Sequence, residues 1–261
     1  MKLKGRSYFI RRTHRYLGVF IGIQFLLWTL GGLYFSWTQI ETIRGEHLYQ
    51  PAAIRSIGPT IPLSDALSGK VGVDESVDLA KMRVVTLLGE VYYSVVYIDR
   101  AGDERRMLLR ANDGNRRGPI TESEARQIAV GAINEPVEVE SVEFITKEMS
   151  SGHHEYREKP LPAWAVNLRH GEGATAYIGA DDGQIHAVRT NGWRAFDFLW
   201  MLHTMDFAGR DNINNYLLRS FSILGIVTVF SGFLLFFVSS RNIRRLLRDW
   251  KRTGGSAFSD H

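Results

Sequence analysis

The sequence predicts a membrane protein of mixed class, membrane α plus exported α+β, in which two transmembrane helices flank a domain of helices and antiparallel sheet. Three observations predict it. Tyr16–Ile40 and Ser220–Ser240 contain no Asp, Glu, Lys or Arg. Each is flanked on its outer side by a cluster of Lys and Arg. Between them, short alternating segments are separated by Gly, Pro, Asn and Asp, the pattern of strands and turns.

A hydrocarbon core of about 30 Å is crossed by about 20 helical residues rising about 1.5 Å each, so both charge-free windows can span. A soluble core helix rarely runs this long without a charge. The first window is also too long for the apolar part of a cleaved signal peptide, and its exit, Tyr34-Phe35-Ser36-Trp37-Thr38-Gln39, lacks the small residues of a cleavage site. It reads as an uncleaved anchor.

Cations close to a span are retained in the cytoplasm. Lys2, Lys4, Arg6, Arg11, Arg12 and Arg15 precede the first span, and Arg241, Arg244, Arg245, Arg248, Lys251 and Arg252 follow the second. Both termini are therefore expected in the cytoplasm of a bacterium, with the central domain periplasmic and the chain in the inner membrane. The expected segments are a basic tail over 1–15, a span over 16–40, the exported domain over 41–194, an interfacial segment over 195–215, a span over 216–240 and a second basic tail over 241–261. The net charge of +4 is concentrated beside the spans, which suits anionic headgroups of the lipid bilayer and no nucleic acid. Trp37, Trp193 and Trp200 near the outer ends, and Trp250 beyond the inner end, suit an interface. A chain with no cysteine forms no disulfide, thiolate metal site or cysteine nucleophile.

The exported part runs through one cycle twice, over about 60–118 and 121–190. In the first, Pro62-Leu63-Ser64-Asp65-Ala66-Leu67 starts a helix, and strands follow around Met82–Leu88, Val91–Ile98 and Arg105–Arg110. In the second, Thr121 and Glu124 have capping-box spacing for a helix to about Ile133, followed by strands over Val137–Lys147, Ala163–Leu168, Thr175–Ile178 and Gln184–Arg189. Each cycle closes on an Asp-Gly turn, Asp113-Gly114 and Asp182-Gly183, which favours a tight hairpin. Each helix is expected to cover one face of its sheet.

Helix before strands, the segment Tyr177-Ile178-Gly179-Ala180-Asp181-Asp182-Gly183-Gln184-Ile185, and the motifs Arg11-Arg12-Thr13-His14-Arg15-Tyr16-Leu17-Gly18 and Leu202-His203-Thr204 resemble the PepSY-associated transmembrane family over nearly the whole chain. The resemblance implies a tandem PepSY-like domain. It also implies either of two functions. Larger relatives with four spans bind haem and are linked to the reduction of ferric siderophores, while simpler PepSY domains are associated with peptidase inhibition. Two departures are plain: this chain has two spans, and Met205 stands after Leu-His-Thr where glycine is usual.

Axial haem ligation needs neutral imidazoles on rigid helices with room for a porphyrin. His14, Gly18 and Gly22 recur at four-residue spacing on one helix face, so the glycines leave space beside the histidine. The same residues also read as a polar flank followed by a helix-packing groove. His203, in the aromatic stretch Phe196–His203, belongs at the opposite membrane face, about 30 Å away, so one chain cannot place both imidazoles on one haem. A homodimer would pair each with its mate, giving haem b held by His14 and His203 as metal ligands, and Gly225, Ser231 and Gly232 offer a second small-residue face for such packing. A partner membrane subunit is the other source of ligands. His203 could equally hydrogen-bond within an interfacial helix. His153-His154 read as part of a mobile loop, and His47, His170, His186 and His261 show no convergent spacing. Walker, Gly-x-Gly-x-x-Gly, His-Glu-x-x-His and Gly-x-Ser-x-Gly motifs are absent, so no nicotinamide or flavin site is expected.

Two functions are carried forward. One is a haem-bearing redox protein, or a component of a membrane iron reductase, that passes electrons to an exported acceptor such as ferric siderophore iron. The other is a membrane-anchored module that binds or restrains an exported protein or peptide. The topology itself is testable: alkaline phosphatase fused after Asp113 should be active and a fusion after Arg252 inactive, and the reverse pattern would invert the orientation.

Overall fold

A computed structural model describes residues 3–50, 60–67, 78–150 and 153–240. The chain runs α1 (Leu3–Trp37), α2 (Ile40–Ile43), α3 (Leu63–Leu67), β1 (Asp78–Leu87), β2 (Glu90–Ile98), β3 (Glu104–Arg110), α4 (Glu122–Ala132), β4 (Glu138–Ile145), β5 (Ala163–Arg169), β6 (Thr175–Gly179), β7 (Ile185–Arg189), α5 (Asn191–Thr204) and α6 (Tyr216–Ser239). It divides into two compact units. One comprises residues 1–34 and 199–261, and the other Phe35–Phe198. The C-terminal basic cluster and Trp250 lie outside the described residues.

In the first unit, α1 and α6 each contain a stretch long and apolar enough to cross a membrane, Tyr8–Trp37 and Tyr216–Phe237. Their large apolar side chains, Phe20, Ile23, Phe230 and Phe233 among them, stand exposed rather than forming a core. A surface this apolar suits a hydrocarbon solvent. The helix α1 begins well before Tyr16, because nothing between Arg6 and Tyr16 breaks a helix and Arg and Lys are good helix formers.

The two helices meet along one seam. Thr228 is buried and returns its hydroxyl to the Leu224 carbonyl at 2.8 Å, while buried Gln24 of α1 donates its amide to the Leu202 carbonyl of α5 at 3.0 Å. Close approach is made by small residues of α6: a Cβ on Gly225 would stand 2.9 Å from the Phe25 ring, and one on Gly232 3.3 Å from His14 Cε1. The expectation that Gly225, Ser231 and Gly232 present a face to a second copy is therefore corrected. These residues receive α1 of their own chain, since bulky Phe25 and the His14 ring need gaps opposite them.

Between α5 and α6 the backbone reverses on side-chain hydrogen bonds. Asp206 accepts from the N–H groups of Ala208, Gly209 and Asn212, and Asn215 caps α6 by accepting from Leu218 N–H at 2.8 Å. Met205 has φ +54°, a left-handed conformation of the kind that ends helices and that favours glycine. A glycine would adopt this conformation at this position without steric cost.

The second unit holds two antiparallel sheets, ordered β1-β2-β3 and β4-β5-β6-β7. The strands follow the alternation of the sequence, except that β1 begins at Asp78 rather than near Met82. Beside the first sheet, Leu109 and Arg116 form an isolated bridge. The helix α4 starts on a capping box in which Glu124 N–H donates to Thr121 Oγ1 and Thr121 N–H donates to Glu124 Oε2.

One core serves both sheets. Val85, Leu87, Tyr92 and Leu108 of the first sheet are buried with Ala125 and Ala129 of α4 and with Val166, Ile178 and Val188 of the second. The other face of each sheet has its own cover. Ala66 of α3 packs on Val95, Met107 and Leu109, and Tyr156 packs with Ala165, Tyr177 and Ala187. Tyr156 stacks on Tyr177 at 4.8 Å and donates its hydroxyl to the Pro160 carbonyl. His154 accepts from Tyr156 N–H at 3.0 Å, so the reading of His153-His154 as a mobile loop is corrected at His154: a wholly buried tyrosine fixes this stretch.

Both Asp-Gly turns place a glycine at positive φ where a side chain would collide. Gly114, at φ +68°, lies against the Ala66 backbone, and Gly183, at φ +61°, lies against Leu87 across the repeats. A Cβ at Gly183 would stand 2.8 Å from the Leu87 methyls. Gly183→Ala combines a left-handed penalty of about 1–2 kcal/mol with overpacking of about 1–3 kcal/mol. Urea unfolding of the detergent-purified chain should show a loss of about 2–4 kcal/mol, whereas Gly102→Ala, at a positive-φ site open to solvent, should cost only the backbone part.

Candidate functional site

The shared core leaves an open groove in the second unit. Its volume is about 580 Å³, and its walls are β1 on one side and the Gln127–Ala132 face of α4 on the other, closed at one end by the β6–β7 turn. The six consecutive residues Arg83–Leu88 all line it. Successive side chains of a strand point to opposite faces, so a run of consecutive residues lines a groove only when the strand is presented edge-on. At the lip, the Leu88-Gly89 turn joins β1 to β2 with both residues at positive φ, +51° and +87°. Such two-residue turns favour Asn-Gly, and leucine there is strained. Leu88 is also exposed, so a large apolar side chain is held at the groove lip at a conformational cost.

The closed end of the groove carries a buried ionic cluster. Asp182 accepts from His186 Nε2 through both carboxylate oxygens, at 2.9 and 3.0 Å, and from Gln184 N–H at 3.0 Å. Arg106, on β3 of the other repeat, places Nε 3.5 Å from the same carboxylate. Burial pushes the Asp182 carboxyl up, but the His186 hydrogen bond and charge, the Gln184 N–H and Arg106 outweigh it and hold it below its ordinary value. The pair sits over Gly179, where a Cβ would come within 2.6 Å of His186 Nε2. The sequence shows no convergent spacing around His186. The available signal was its place four residues after Asp182, across a hairpin turn that folds the two side chains together.

The predicted site residues fall in the other unit and do not converge. His14 lies in the α1/α6 seam with Nδ1 2.7 Å from Ser231 Oγ, and Ser231 donates to the Thr228 carbonyl. Its Cε1–Nε2 edge is turned to Gly232. Gly18 and Gly22 face open space, with nothing within 4 Å of a Cβ built on either. His203 is exposed, stacked on Trp200 at 6.0 Å and tilted against Trp28 at 5.8 Å, and Trp28 donates its indole N–H to the His203 carbonyl. Since His203 lies beside Trp28, it stands fourteen residues of α1 from His14, about 21 Å at a rise of about 1.5 Å. The residues of one chain therefore do not fit a haem with two imidazole ligands. Among the described residues, no group of three or more His, Asp or Glu is arranged to hold a metal ion.

No protein family, curated protein or solved structure matches this chain.

The Asp182 cluster makes a pH-dependent prediction. A carboxyl depressed by folding adds stability above its unfolded pKa of about 3.9 and loses it as pH falls through the lower folded value. Asp182→Ala should lower stability by about 3 kcal/mol at pH 7, because it strands the largely buried His186 imidazole and leaves Arg106 with Glu104 alone. Urea unfolding as a function of pH should show the gap between wild type and variant closing below about pH 4.

Proposed function

We propose that this chain is a membrane-anchored module whose α+β unit binds a segment of another polypeptide. The groove carries the reading. It is open and lined edge-on by a strand, its floor is apolar at Val85 and Ile128, and a strained, exposed Leu88 stands at its lip. Conformational strain held at an exposed apolar residue is a feature of binding sites, where contact with a partner compensates it. The PepSY-like reading of the sequence, the bacterial inner membrane and a periplasmic placement of this unit belong to the same proposal, with an exported protein or peptide as the partner.

A second reading keeps haem b and electron transfer to an exported acceptor such as ferric siderophore iron. It is supported by the open Gly18/Gly22 face and by Ser231, which engages His14 Nδ1 and leaves Nε2 as the ligating nitrogen. Because one chain does not bring His14 and His203 together, this reading requires a homodimer or a partner membrane subunit.

Absorbance of the detergent-purified chain, expressed with ample haem, separates the two. A Soret band lost in His14→Ala or His203→Ala supports the second reading, and its absence in wild type removes it. For the first reading, a photo-crosslinking residue at Gln127 in living cells should join a polypeptide, while one at Glu140 on β4 should not. Leu88→Asn should raise stability by about 1 kcal/mol by relieving the left-handed leucine and should weaken that cross-link; equal yields from both sites would overturn the proposal.

A further inference from the structure

The groove's strand wall is an unguarded sheet edge. Natural sheets protect their edges with charges, prolines and bulges. The edge strand β4 has all but the proline: Glu138, Glu140 and Glu143, and a register shift between Val139 and Ser141. The edge strand β1 carries its guards only in its first half, with Lys81, Arg83 and a register shift between Leu79 and Lys81. From Val84 to Leu88 it has no charge, no proline and no bulge, and this half faces the groove.

The register tells which backbone groups are on offer. Leu87 and Glu90 close a two-residue turn, so they form a hydrogen-bonded pair, and hydrogen-bonded and non-bonded pairs alternate along an antiparallel ladder. Leu87, Val85 and Arg83 therefore bond to β2, while Thr86, Val84 and Met82 direct their N–H and carbonyl groups away from it. The same alternation is visible across the ladder. Val91, opposite Thr86, turns its carbonyl away from β1 and accepts from Ala111 N–H at 2.9 Å. Among the described residues β1 pairs with β2 alone.

Resting on the binding reading above, we infer that the groove takes its partner by strand addition: an extended segment pairs antiparallel with Val84–Leu88, using the outward backbone groups of Val84 and Thr86. The occupant's chemistry follows from the walls. The groove is lined by Arg83 and His186 but by no Asp or Glu, so the segment is uncharged and β-branched along the apolar stretch and carries a carboxylate where it passes Arg83. In an antiparallel pair that is the segment's C-terminal end.

The probe is the peptide acetyl-Thr-Val-Thr-Val-Thr-Val-Asp-amide, carrying a fluorophore and titrated against the full chain in mild detergent. Strand addition engages the N–H groups of alternate residues only. N-methylation of the three valines and N-methylation of the central threonines should therefore differ. One pattern should weaken binding by about tenfold or more, and the other should leave it unchanged. Val84→Pro removes an outward N–H that β2 does not use, so the sheet is retained and binding is lost, while Val84→Thr binds as wild type. Arg83→Glu should weaken the Asp peptide and favour the same peptide ending in Lys. If the peptide binds but both methylation patterns and Val84→Pro leave affinity unchanged, strand addition is overturned while polypeptide binding stands. Failure of every peptide to bind also overturns strand addition; absence of the Gln127 cross-link overturns the binding reading beneath it. Should Val84→Pro unfold, the methylated peptides still decide.

Discussion

Gly183 brings the β6–β7 turn against the Leu87 side chain so closely that no Cβ fits between them, and the arrangement of the α+β unit depends on this contact. It lets Leu87 of the first repeat enter a core whose other members come from α4 and the second sheet. With the end of β1 fixed there, Arg106 on β3 comes within reach of Asp182, and the carboxylate that receives it is oriented by His186 over the bare backbone of Gly179. An apolar contact and an ionic one thus bind the two sheets at the same turn. The groove is what remains between β1 and α4 once both are drawn to a common core.

The helix pair follows a different physical logic. Most of their large apolar side chains stay exposed, so α1 and α6 associate through shape and a few hydrogen bonds, as helices in hydrocarbon do. Phe25 fills the gap at Gly225, His14 fills the gap at Gly232, and the His14–Ser231 contact adds a polar link inside the seam. Gly18, Gly22 and Gly32 of α1 meet no such neighbour. A reading of small residues as packing surface is sound for this chain, but which helix fills each gap is decided by residues far apart in sequence.

Much of this was legible in the sequence because it is written in periodicities. The charge-free windows become α1 and α6, the Thr121–Glu124 spacing becomes a capping box with both hydrogen bonds, and alternating segments become strands within a few residues of the expected limits. The groove was not legible. Alternation reports the two faces of a strand and is silent about its edges, so nothing in Val84–Leu88 distinguishes a paired edge from a free one. Likewise the partner of His14 lies 217 residues away, and Asp182 and His186 look unrelated until the turn between them closes.

An unguarded edge is a hazard unless something restricts what reaches it, because two free edges can join sheet to sheet and propagate. In this protein α4 stands across the groove from β1. On the strand-addition reading, a single extended strand needs about 4.8 Å beside the edge, whereas the edge of another folded sheet would bring further strands behind it toward α4. The helix that contributes Ala125 and Ala129 to the core therefore also screens the edge, and the same geometry that makes β1 available to an extended chain withholds it from aggregation. On β4 the edge is instead guarded by its own carboxylates and bulge. The two sheets thus meet the same constraint by opposite means, one by repelling strands and the other by selecting which strand can enter.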